Sequence, residues 1–396
     1  MQIYKAFDQW CKRPIDERFW TLDEMVRATH SCYVNAAQGQ ASYGDLSVMA
    51  EGDSMFLAGK SGVKARLSNW AFGQLCSRAG APASYLRQLP APMAQDCLNH
   101  GLREQVEDGN ARILFHGSQP SSTAADLARD PNLLARAFTS MTYKRVWNWE
   151  IGKRLIQLRD DGGWVTPPAR PAHPNDPRTR KATEADCGPH TLVQPGDLIA
   201  PSGIYASDHD TFVFMVNPER TVSDGKNELS RGFFCWNSEV GAASFGVMAF
   251  LYNHTCSNHI VWGAQGVHEI RVRHVGNADE RAFNELSVEL RKYADESTSD
   301  MDAKIASAKK YVIPGNDKSS VVDAIFGIAR QKRVQIPQKA FRAAYDIADQ
   351  REDDYGHPNT LWALTQGLTQ LSQQSEFADK RVDLDRQAGK LLEIAF

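Results

Sequence analysis

The sequence predicts an α+β fold: a mixed or antiparallel β-sheet with packed helices and a helical C-terminal region. Three observations carry that prediction. Residues 46–59, "LSVMAEGDSMFLAG", set two apolar runs about the turn-prone "EGD", the pattern of a β-hairpin. Between about 191 and 277 lie long aromatic and β-branched runs such as "TFVFMV", "RGFFCWNSEV" and "SFGVMAFLYNHTC". From about 278 to residue 396 the apolar spacing becomes helical, as in "DERAFNELSVELRKYADE" and "PQKAFRAAYDIADQ".

Taken in order, residues 1–160 read as an N-terminal α+β part. After the hairpin, "RLSNWAFGQLCSRAG" places Leu67, Trp70, Ala71 and Leu75 at helical spacing and closes on Gly80. "APASYLRQLP" and "APMAQDCLNHGLREQ" open on prolines suited to a first helical turn. "ARILFHG" (111–117) reads as a buried strand, and residues 134–158 as a strand followed by a helix with Ile151, Leu155 and Leu158 on one face. Residues 161–190 are rich in proline without periodicity and read as a linker or long mobile loop. In the β-rich part, 191–277, "GIYASDHDTFVFMV" reads as a hairpin whose second arm is apolar on both faces, hence central in its sheet.

Composition narrows the function classes. The chain has 396 residues, 42% hydrophobic and 23% charged, enough to build a core without disulfides or metal. A formal charge of −3 leaves no global basic excess, so contact with nucleic acid requires a local basic surface. Seven scattered cysteines, an odd number, suit reduced residues of a cytoplasmic protein rather than a secreted disulfide framework. No apolar run approaches ~18 residues, so no membrane partner is expected.

Several stretches carry chemistry at face value. "LAGKSG" (57–62) lacks the glycine that a phosphate-binding loop needs five positions before its Gly-Lys pair; Ser54 stands there. Asp208 and Asp210 in "SDHD", with Glu239, are candidate hard-oxygen ligands for Mg²⁺, although the quartet sits where a hairpin turn belongs. His254, Cys256 and His259 are candidate zinc ligands but have no matching second pair. "YKRVWNWEIGKR" is the stronger candidate. Tyr143, Trp147 and Trp149 alternate with Lys144, Arg145, Lys153 and Arg154, joining aromatic faces that stack bases to cations that neutralise phosphates. Arg178, Arg180 and Lys181, and Arg271 and Arg273, extend the candidate surface. The bland alternative is that the tryptophans pack in the core and the cations solvate the opposite face.

"RGFFCWNSEVGAASFGVMAFLYNHTCSNHI" resembles the signature block of the DUF932 family, the phage/plasmid-like proteins, through Asn237 to Gly241, Phe250 to Tyr252, and Cys256 with Asn258. His259 stands where the family usually has glycine. "GQLCSRAGAPASYLRQLP", "ASDHDTFVFMVN" and "RQAGKLLE" resemble other segments of the family. The resemblance implies a bacteriophage or mobile-element setting, among genes for DNA replication and recombination, in the host cytoplasm. It supplies no catalytic residues. With the basic-aromatic stretch it leads us to expect a homo-oligomeric, non-enzymatic protein that binds nucleic acid, single-stranded DNA above all, without a cofactor. It would act in recombination, replication or protection of the element's DNA. A metal-dependent nuclease or hydrolase, and an anti-defence or host-modulating protein that binds a host protein, are the alternatives.

Overall fold

The computed structural model describes residues 18–59, 62–104, 109–120, 123–166, 170–172, 176, 178–187, 193–201, 203–208, 210–223, 228–253, 259–261, 269–295, 299–372, 384 and 387–395. Strand β1 (Arg18–Phe19) leads into helix α1 (Leu22–Val34). Thr21 opens α1: its hydroxyl accepts from the Glu24 amide, while the Glu24 carboxylate accepts from the Trp20 amide.

Next come β2 (Ala36–Ser42), β3 (Leu46–Glu51), β4 (Ser54–Gly59) and β5 (Lys64–Leu67), then α2 (Asn69–Arg78), α3 (Ala83–Leu86), α4 (Ala91–Glu104), β6 (Asn110–His116), α5 (Ala124–Arg129) and β7 (Leu134–Thr139). These six strands, β2 to β7, form a mixed sheet in the order β2-β6-β7-β5-β4-β3, antiparallel except where β5 meets β7. Leu75, Cys76, Leu98 and Leu102 of α2 and α4 bury against Leu57, Ala65 and Ile113 of this sheet. Edge strand β3 is shielded from stray pairing because Asn99 of α4 bonds both the amide and the carbonyl of Val48, and Gln95 accepts from Ala50.

Helix α6 (Asn148–Gly162) is followed by β8 (Arg170–Pro171), β9 (Arg180–Lys181) and β10 (Leu198–Ala200), a small sheet in the order β8-β10-β9. The segment 161–190 therefore contributes the last two residues of α6 and two short strands, where the sequence suggested only a linker or loop. Both strands lie at edges, where a proline costs no ladder hydrogen bond.

Strands β11 (Ile204–Ala206), β12 (Thr211–Ser223), β13 (Glu228–Asn237), β14 (Phe245–Asn253), β15 (His259–Val261) and β16 (Glu269–Val272) form an antiparallel sheet with β1 at its edge. Strand β14 pairs with β16 along Phe245 to Met248 and with β15 along Leu251 to Asn253. The α+β fold that the sequence predicts is thus built with its described strands divided among separate sheets. Among the described strands of the N-terminal region, β1 alone joins the second sheet.

Helices α7 (Ala278–Asp295), α8 (Ser299–Lys310), α9 (Lys318–Gln331), α10 (Gln338–Asp349), α11 (Glu352–Tyr355) and α12 (Leu361–Ser372) close the chain, together with a short turn at Leu392–Ala395. Helix α12 is buried on nearly every side. Its Thr365, Thr369 and Ser372 hydroxyls donate back to carbonyls of their own helix, which lets polar residues sit in a dry core. One core joins these helices to the second sheet: Leu286, Ile325, Phe341 and Leu364 belong with Val213, Phe233 and Val247. Phe19, Leu22, Met25, Ile151 and Leu155 belong to it as well, so β1, α1 and α6 pack with a sheet far downstream in sequence. No helix among the described residues is long and apolar enough to cross a membrane.

Candidate functional site

Helices α1 and α6 lie against each other, and their approach is set by Gly152. A Cβ at that position would fall 2.5 Å from Val26 Cγ2 and 2.9 Å from Met25 Cε, so only glycine permits this spacing without a shift. The contact brings the last turn of α1 beside the first turn of α6. His30 and Tyr33, three residues apart and so on one helix face, meet Trp147 and Trp149.

A continuous row of rings and cations results. His274 lies parallel to Tyr143, with centroids 5.0 Å apart and planes within 9°. The Arg145 guanidinium stands 5.3 Å from the Tyr143 ring and 5.5 Å from the Trp147 ring. Trp147 meets Tyr33 edge-on at 4.9 Å, and Tyr33 stands 5.2 Å from Trp149. Trp149 then contacts His30 at 5.0 Å and lies beneath the Lys153 ammonium, also at 5.0 Å. At the outer end the row is open: Tyr33 is 38% exposed, His30 and Lys153 are exposed, and both tryptophans are half-buried.

The inner end is closed by the Asn237-to-Gly241 block. Glu239 is buried; one carboxylate oxygen accepts from the Asn148 amide at 2.9 Å and the other lies 3.3 Å from Arg136 Nη1. Glu239 therefore caps α6 from outside the helix, at the positive end of its dipole, where the neighbouring Trp147 offers no capping side chain. Asn237 donates to the Val146 carbonyl and to Asn148 Oδ1, and the Tyr143 hydroxyl donates to the Ser238 carbonyl. From α2, Trp70 and Gln74 both donate to the Val240 carbonyl. The block thus ties the two large sheets together through α2 and α6.

Burial sets the electrostatics. It pushes the Tyr143 phenol up and lowers Arg145 to about 10, with Arg136 and Arg112 adding like-charge repulsion. His274 is lowered to about 4 by burial, and its Nδ1 lies 3.2 Å from the Lys144 carbonyl. Cys32, near Arg136 and Glu239, has its thiol pushed up by burial, the wrong direction for a nucleophile. The arrangement offers flat faces and fixed positive charge, which suits binding.

Of the residues singled out in the sequence, the structure sets Tyr143 and Lys144 against the chain just after Arg271 and Arg273, at His274 and Val275. Lys144 donates its amide to the His274 carbonyl, and Tyr143 bridges Val275. Lys144 is exposed and pairs with Asp279 at 3.2 Å; Arg154 is exposed over Phe283. Arg271 lies over Trp236, and Arg273 is exposed just beyond β16. Arg178 and Arg180 stand apart. They engage Glu24 and Asp186, with Arg180 over Trp20, at the opposite end of α1 from Tyr33, about 14 Å along the helix axis. Lys181 lies beside them on β9, exposed.

The metal candidates separate similarly. Asp210 accepts from the Ser207 hydroxyl and closes the β11–β12 turn, while Asp208 offers its carbonyl to Arg136. His254 and Cys256 lie outside the described residues, and for His259 only the backbone, in β15, is described. Among the described residues, no three His, Cys, Asp or Glu side chains gather as a metal site.

Sequence reasoning missed His30, Tyr33, Arg112 and Arg136. The i, i+3 spacing of His30 and Tyr33 on a helix was the available signal; nothing linear indicated that α1 packs on α6. A family model described as "Domain of unknown function (DUF932)" matches residues 190–391. No curated protein and no solved structure matches the chain.

Proposed function

Because the chain belongs to the DUF932 family, whose description assigns no activity, the function must be argued from the site, and we propose that the protein binds single-stranded nucleic acid on the row running from Tyr143 to Lys153. The carrying observation is the open end of that row, where Tyr33, Trp147 and Trp149 present rings beside the Lys153 ammonium. Every base has a π-face, so such a surface takes a strand with little sequence preference, at about 1–3 kcal/mol per stacked base. Lys153 and Arg273 supply exposed cations, and Lys144 a third that it shares with Asp279. In the phage or mobile-element setting that the sequence resemblance implies, the strand is DNA, and its binding serves recombination, replication or protection of the element.

The test is titration of a fluorescently labelled single-stranded oligonucleotide at two salt concentrations. Binding that weakens with salt, and that falls roughly tenfold in Tyr33→Ala, is expected. No binding at low salt, or binding indifferent to salt, overturns the reading.

A further inference from the structure

Arg145 presents an unusual balance. It is only 6% exposed, and its Nε, Nη1 and Nη2 atoms are shut from solvent with no hydrogen-bond partner among the described residues. Tyr143 and Trp147 stand over the guanidinium, while all five of its N–H donors lie in its plane. Glu239, the nearby carboxylate, is already held by Arg136 and the Asn148 amide. Arg112, whose charge also bears on Arg145, donates to the Tyr143 carbonyl. Among the described residues, three guanidinium groups thus stand against one carboxylate, an excess of two positive charges. A buried cation with no acceptor is strongly unfavourable, so a fold that keeps one implies an anion that completes it.

We propose that Arg145 is the seat for a phosphate monoester, the terminal phosphate of a strand whose bases stack on the neighbouring rings. This rests on the single-strand reading above. A terminal phosphate carries close to two negative charges at neutral pH, matching the excess. The planar fork of arginine engages two phosphate oxygens at once, which a lysine in its place could not do. A terminal phosphate carries chain on one side only, so it reaches a guanidinium flanked by two rings with less crowding than an internal phosphodiester.

The experiment compares 5′-phosphorylated, 3′-phosphorylated and unphosphorylated oligonucleotides of one sequence in competition against the full chain. In parallel, melting temperature is followed with inorganic phosphate and with chloride at matched ionic strength. A preference of about tenfold for a phosphorylated end is expected, with a phosphate-dependent rise in melting temperature. Arg145→Met should erase both effects and melt higher than the wild type without phosphate, because it removes an uncompensated buried charge. Equal affinity for all three oligonucleotides overturns the seat, while salt-dependent binding of all three leaves the single-strand reading standing. A phosphate-dependent rise in melting temperature with no oligonucleotide bound upholds an oxyanion seat and overturns its assignment to a strand end. The wild-type measurements decide the matter even if Arg145→Met fails to fold.

Discussion

Trp236 covers Gly246 across the β13–β14 ladder: a Cβ on Gly246 would fall 2.0 Å from the indole Cζ2. Phe250 covers Gly232 in the same way four residue pairs along, so the ladder twice sets an aromatic ring over a bare backbone. Gly246→Ala forces the indole from its place and is expected to cost roughly 1–3 kcal/mol or more. Urea unfolding followed by tryptophan fluorescence measures it. An unchanged midpoint would mean that the ring does not lie on the glycine.

Glu239 is expected to be the most sensitive charge in the molecule. Glu239→Ala leaves Arg136 buried without its partner and uncaps α6, and should destabilise by about 3–5 kcal/mol. Glu239→Gln keeps an acceptor for the Asn148 amide and should be milder by about 1 kcal/mol. Denaturant midpoints of the two variants, compared with the wild type, give both quantities.

His274 makes stability depend on pH in a defined window. Folded, it is lowered to about 4 by burial; unfolded, it returns to the ordinary imidazole range near 6.5. Between those values the unfolded chain holds the extra proton, so stability falls as pH drops from about 6.5 toward 4, by on the order of 3 kcal/mol for this group. Burial lowers His116 as well, which adds to the trend in the same sense. His274→Phe keeps a flat ring beside Tyr143 and should flatten the slope of melting temperature against pH across that interval. An equally steep slope in the variant would place the titration elsewhere.

Gly152 offers a test of the interface that touches no candidate ligand contact. Gly152→Ala pushes α1 away from α6 and separates Tyr33 from Trp147 and Trp149. Single-strand affinity should fall several-fold while circular dichroism at 25 °C stays close to wild type. Affinity equal to wild type would show that the spacing of the two helices does not matter to binding.

The hairpin at 46–59 was legible because turn chemistry and alternation are local. The division into two sheets was not. It depends on β5 choosing β7 and on β1 reaching β11, pairings between residues far apart in sequence. The stretch 143–154 announced its aromatic and basic character, yet the partners of its residues come from α1, β16 and the Asn237 block. Whether a cation is occupied is likewise invisible in a linear reading. Arg178 and Arg180 resemble Lys153 on paper, and the acids that engage them, Glu24 and Asp186, become evident only once the chain is folded.

The sharing of one core by β1, α1, α6 and the β12–β14 sheet bears on how the chain is made. Leu22 and Met25 leave the ribosome more than two hundred residues before Phe245 and Val247, which belong to the same core. At roughly 5–20 residues per second, the apolar face of α1 waits on the order of 10–40 s for that sheet. Completion of this core is therefore late relative to the emergence of α1. A nascent chain of this kind must spend that interval shielded by a chaperone or at risk of association with its neighbours on the same message.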